Sequence, residues 1–140
     1  MSSDDILEIF STEFDKLENL VNLIKFDNDL TVNQIVQVYY QITNISSMIV
    51  VIKQQLKQST EKILRTEKFI NENFNSIIHP KIMDHIENSI SNITTDLQSL
   101  NSGQKSKETI ENEAKLYEKL REIMSTKEFV KQYDSGLSND

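Results

Sequence analysis

The residues able to do chemistry in this 140-residue sequence do not assemble into a complete catalytic or ligand motif. Ser59-Thr60-Glu61-Lys62 matches the Ser-x-x-Lys arrangement, in which a lysine activates a serine nucleophile. The Ser-Asp-Asn and Lys-Thr-Gly elements that accompany it in acyl-transfer enzymes are absent, and an i, i+3 polar pair is ordinary on an exposed helix. His79 and His85 are the two imidazoles of the chain, and there is no Cys. Six apart across Pro80, they miss the i, i+4 spacing of a helical metal pair. Asp4 with Asp5, and Glu111 with Glu113, are the residue types of general acid–base catalysis. Both pairs fall where a helix start or a solvated helix face puts acids anyway. Glycine occurs only at 103 and 136, so a glycine-rich phosphate cradle cannot be built. The sequence predicts no catalytic, cofactor or metal site, and a protein that is not an enzyme.

Composition says what must carry the function instead. Two Gly and one Pro in 140 residues are too few for the turns of a sandwich, barrel or doubly wound sheet. The hydrophobic fraction of 37% is concentrated in Ile, Leu and Val, which predicts a folded all-α chain with a thin core. A net charge of -7 repels phosphate backbones. No segment is basic enough to reverse this: residues 1–29 hold eight acids against Lys16 and Lys25, residues 30–60 carry only Lys53 and Lys57, and residues 86–140 hold ten acids against seven bases. Direct nucleic-acid binding is not expected. Neither a signal-peptide pattern nor a lipidation motif is present, which predicts a cytoplasmic or nuclear chain.

Four main helices are expected, at about residues 4–26, 32–78, 81–101 and 106–134, in an elongated helical bundle or coiled coil. Residues 1–136 form a single domain in this reading, with 137–140 as a flexible tail. In the first helix Leu7, Phe10, Phe14, Leu17, Val21 and Ile24 alternate at spacings of three and four, a seam that faces partner helices. After the polar break Asp27-Asn28-Asp29, Thr31 and Gln34 make a capping-box pattern, and Leu30 and Ile35 a hydrophobic staple, so a second helix starts at Val32.

That second helix dominates the reading. Ile35, Ile42, Ile49, Leu56, Ile63, Ile70 and Ile77 recur every seven residues. Unbroken to residue 78, the helix would be about 70 Å long. The companion row is Val38, Ile45, Ile52, then Ser59, Thr66 and Asn73, with Leu64, Phe69 and Phe74 taking over as apolar partners. A kink or a change of packing partner is expected near residues 54–60. His79-Pro80 marks a corner. Asn101-Ser102-Gly103 stops the third helix. A short break is allowed near 125, where Ser125 with Glu128 repeats the capping-box pattern and Met124 with Phe129 the staple.

Leu30 to Ile52 carries no charged residue. The stretch is long enough for a bilayer, but Asn33, Gln34, Gln37, Gln41 and Asn44 would each lose hydrogen bonds there. A core helix whose amides bond to neighbours and fix register is the better reading, and no transmembrane segment is expected. Of the adjacent tyrosines, one faces the seam and the other a flank, and both are expected to pack with their hydroxyls bonded.

The seam of a 47-residue helix is more than two half-length helices would be expected to cover, so other chains are expected to complete it. The partner-interface candidates are Ile35, Val38, Tyr39, Ile42, Ile45, Ile49, Ile52, Leu56, Ile63, Ile70, Phe74 and Ile77. The function expected is that of a coiled-coil subunit in a hetero-oligomeric scaffold or tethering complex, of membrane-tethering, kinetochore or spindle, or coactivator type. The alternative is a self-contained helical-bundle adaptor that binds a partner helix in a groove.

Overall fold

α1 (Ser3–Phe26) begins at a run of acids that suits the positive end of the helix and ends at the Asp27–Asp29 break. The computed structural model describes residues 3–56, 61–100 and 106–138, and among them there is no strand. The other elements are α2 (Val32–Leu56), α3 (Glu61–Phe69), a π-helical segment (Ile70–Ile78), α4 (His79–Leu100) and α5 (Lys107–Ser138). The chain is an all-α helical bundle. It divides into two compact units, Met1–Lys81 and Ile82–Asp140.

Unit 1 is three helices packed up, down and up. The capping box forms as expected: the Thr31 amide donates to Gln34 Oε1 at 2.8 Å, and the Gln34 amide donates to Thr31 Oγ1 at 3.1 Å. Leu30 and Ile35 are both buried beside it. The chain then departs from a single long helix. Lys53 of α2 pairs with Glu67 of α3 at 3.0 Å, and Tyr39 near the start of α2 meets Phe74 and His79. Contacts that join 53 to 67 and 39 to 79 require α3 and the π segment to run back along α2. The expected helix over 32–78 is therefore two antiparallel helices. Residues 57–60, including Ser59 and Thr60 of the Ser-x-x-Lys pattern, lie outside the described residues. The seven-residue repeat misleads here because each helix keeps its own apolar row, and the two rows happen to be separated by a multiple of seven.

The fold-back lets unit 1 fill its own core. Phe10, Leu17, Val21 and Ile24 of α1 are buried with Ile35, Val38, Ile42, Ile45, Ile49 and Ile52 of α2, and with Ile63, Ile70, Phe74 and Ile78 beyond them. Each such side chain contributes about 1.5–3 kcal/mol relative to exposure. Thr66 takes a core position in α3, its hydroxyl bonded to the Lys62 carbonyl at 2.9 Å, while Leu64 points out at 57% exposure. The seam thus follows the polar companion row and not Leu64. Phe14 and Phe69 meet edge to face at 5.2 Å between centroids.

The corner expected at His79-Pro80 is absent: helical residues follow one another from Glu61 to Leu100. A proline inside an α-helix clashes with the carbonyl four residues back. Here the turns before Pro80 are π-helical, and the His79 amide donates to the Phe74 carbonyl, five residues back. The wider turn makes room for the ring, so the helix absorbs the proline without ending. It also moves the buried row by one residue. Ile78 is fully buried and Ile77 is 40% exposed. Lys81 closes unit 1, its Nζ donating to the carbonyls of Ile24 (2.7 Å), Lys25 (3.1 Å) and Asp27 (2.6 Å). An ammonium with three donors satisfies the open carbonyls at the negative end of α1.

Unit 2 is built on α4 and α5, tied by the pair Lys127–Glu87 at 2.8 Å. Residues 101–105, with the expected Asn101–Gly103 stop, lie outside the described residues. Ser106 caps α5 through its Oγ, which accepts from the Thr109 amide at 3.1 Å. No break occurs near 125: Thr126 bonds its hydroxyl to the Glu122 carbonyl at 2.9 Å, a bond made only inside a continuing helix. The helix also passes through Gly136 to Ser138. A single glycine costs about 1 kcal/mol in a helix, too little to end it.

Candidate interaction surface

The twelve residues expected to meet partner helices are mostly occupied within the chain. Ile35, Val38, Tyr39, Ile42, Ile45, Ile49, Ile52, Ile63, Ile70 and Phe74 are buried in unit 1. Among the described residues of the set, Ile77 alone is exposed, for the π-helical reason above. Leu56 closes α2, and its side chain is outside those described. The row that reads as an interface in the sequence is the core of a three-helix bundle.

The amides of α2 do what an uncharged core helix needs. Gln41 Nε2 donates to both the backbone carbonyl and Oε2 of Glu13 at 2.8 Å, and Asn44 Nδ2 reaches the same carboxylate at 3.3 Å. Gln34 Nε2 reaches Asp27 at 3.3 Å. These bonds lock the register of α1 against α2. Donation by Gln41, then the Lys16 ammonium, holds the Glu13 carboxyl below its usual value. The Asp29 amide, then Gln34, does the same for Asp27. α2 is also long and apolar enough to cross a membrane. In this bundle its apolar row is buried, and Gln34, Gln41 and Asn44 find protein partners.

Tyr39 and His79 form a buried polar pair, Tyr39 Oη bonded to His79 Nδ1, with the Phe74 ring edge-on to Tyr39 at 5.3 Å. Tyr40 does not pack as expected and is 64% exposed. His85 is half-buried on α4. Among the described residues no three His, Asp or Glu side chains converge as a metal-ligand group.

What the surface offers instead is apolar. Between α1 and the last turns of α2 lies an open groove of about 430 Å³, lined by Ile6, Ile9, Met48, Val51 and Ile52, with Ser47 and Gln55 at its edge. A hollow lined by Asp5, Glu8, Thr12 and Glu13 adjoins it and shares Ile9. Leu23 and Phe26 are exposed at the other end of α1. On α5, Ile110, Tyr117 and Met124 are exposed at intervals of seven. Leu116, Leu120 and Phe129 of α5, with Ile90, Ile93 and Leu100 of α4, stay half-buried.

Reasoning from the heptad row missed the groove, yet a signal was present. Met48-Ile49-Val50-Val51-Ile52 is five apolar residues in succession, and at about 100° per residue no helix can turn all five toward one neighbour. Ile49 and Ile52 take the core, and Val50 and Val51 are left outside. Set beside protein-family models, curated proteins and solved structures, the chain matches none.

Proposed function

We propose that this chain is a non-enzymatic α-helical subunit of a hetero-oligomeric scaffold or tethering assembly, of membrane-tethering, kinetochore or spindle, or coactivator type, acting in the cytoplasm or nucleus. The observation that carries the reading is the incomplete burial of unit 2. α4 and α5 bury Ile82, Ile86, Leu97, Ile123 and Val130, but leave six aliphatic and aromatic seam residues half-buried beside the exposed row Ile110, Tyr117 and Met124. Added helices from other chains would bury that surface and complete a bundle. Function lies in that surface and in no reacting group.

Amide hydrogen exchange and light scattering on the purified chain test this. Fast exchange along α4 and α5, against slow exchange in α1 and α2, supports it. A monodisperse monomer that melts in one sharp step, with unit 2 as protected as unit 1, sinks it. The second reading, a self-contained adaptor that binds a helix in a groove, is supported by the closed core of unit 1 and the open groove on its surface.

A further inference from the structure

The groove between α1 and α2 has an acidic margin on its α1 side, where Glu13 is already paired with Lys16 at 3.1 Å. Its floor is Ile9, Met48 and Val51, with Ile9 44% and Val51 45% exposed. On the α1 side it runs into the hollow lined by Asp5, Glu8 and Glu13. No Lys or Arg occurs before Lys16. On the α2 side its edge is Ser47 and Gln55, within a helix that has no charge until Lys53, and Lys53 is paired with Glu67. Apolar ground between an acidic margin and a neutral one fits a helix with an aliphatic face and a basic flank. A second copy of this chain seated groove to groove fits badly, because the lining residues it brings include Asp5, Glu8 and Glu13 and no Lys or Arg.

We propose that the α1–α2 groove docks a basic amphipathic helix of a partner protein, whose aliphatic face covers Ile9, Met48 and Val51 and whose Lys or Arg side chains meet Glu8 and the acids beside it. This rests on the reading of the chain as a binder of helical partners, and it names the chemistry of one of them. Coulomb attraction between exposed groups speeds encounter and weakens with salt, while the aliphatic contact sets how long the helix stays.

The experiment uses the full chain and two 18-residue peptides with leucines at three-four spacing, one with lysines and one with glutamates on the polar face. Anisotropy titration measures affinity, and amide chemical shifts map the site. The lysine peptide is expected to bind at the groove, to weaken as salt rises from about 0.05 to 0.5 M, and to bind about tenfold more weakly to Val51→Glu. That variant adds negative charge, so weakening by it reports lost apolar contact. Ile9→Gln repeats the test at an equally exposed position, and Glu8→Lys is expected to cost about fivefold. Equal binding of the glutamate peptide, indifference to Val51→Glu and Ile9→Gln, or no binding of the lysine peptide overturns the proposal. Shifts confined to α4 and α5 overturn the groove but leave the subunit reading standing. A self-dimer seated on α1 and α2 overturns the choice of partner.

Discussion

Units 1 and 2 are made of similar helices with similar three-four apolar rows, and they bury them to different degrees. In unit 1 three rows converge, and Phe10, Ile35, Ile42, Ile63 and Phe74 lose nearly all contact with solvent, while Leu7, Phe14 and Phe69 are half-buried. In unit 2 only part of the row does: Ile82, Ile86, Leu97, Ile123 and Val130 are buried, while Ile90, Ile93, Leu116 and Leu120 are not fully covered. A helix presents an apolar stripe too wide for one neighbour to cover, so three helices close a core that two leave open. Surplus apolar surface on a folded chain is where partners are to be sought.

The largest expected effect tests that contrast. Phe74→Ala opens a cavity in a closed core and is expected to cost about 3–5 kcal/mol in urea unfolding, whereas Ile93→Ala, half-solvated already, is expected to cost about 1 kcal/mol. Equal losses would erase the distinction between the units. Next comes Lys81→Met, which keeps the stem of the side chain and removes the ammonium from three carbonyls. A loss of about 2 kcal/mol is expected, with faster amide exchange in the last turn of α1. An unchanged midpoint would mean that water satisfies those carbonyls as well.

Smaller, and dependent on pH, is the bracket on Glu13. Its carboxyl is lowered in the folded chain, so its contribution is present above the unfolded-state value near 4.5 and is lost as pH falls through the lower folded value. Glu13→Gln is expected to flatten stability against pH in that window and to leave stability above it lower than in the unaltered chain. If the two profiles fall in parallel below pH 4.5, the bracket is not what titrates. Smallest is Tyr117→Ser on the exposed row of α5. It is expected to move the stability of the isolated chain by less than about 0.5 kcal/mol, yet to weaken whatever assembly forms through unit 2. A stability loss above about 1 kcal/mol would show that the residue already packs within the chain.

Local pattern made much of this legible. The Thr31–Gln34 capping box, the Leu30 and Ile35 staple, the α1 seam and the register-fixing amides of α2 follow from residues three to seven apart, or from the polarity of one helix face. The corner at Pro80 and the break near 125 are expectations of the same local kind that fail. A proline is tolerated when the turn before it is π-helical, and a capping pattern inside a helix acts only if the chain leaves the helix there. The expected interface row was legible as an apolar row, and the structure buries most of it within the chain. Ile42 and Ile63 mark an interface in either reading, and the interface lies within the chain.

The sequence by itself determines that this protein is helical, that turns are scarce and that aliphatic rows outnumber reactive groups, because those properties belong to composition and short-range period. Tertiary structure alone decided that the row from Ile35 to Ile77 is two helices face to face, and that Ile78 replaces Ile77 in the core. Periodicity records which side of a helix is apolar and carries no information on which element will cover it. That is settled by chain reversal and by the long-range contacts of Glu13 with Gln41, Lys53 with Glu67 and Tyr39 with His79.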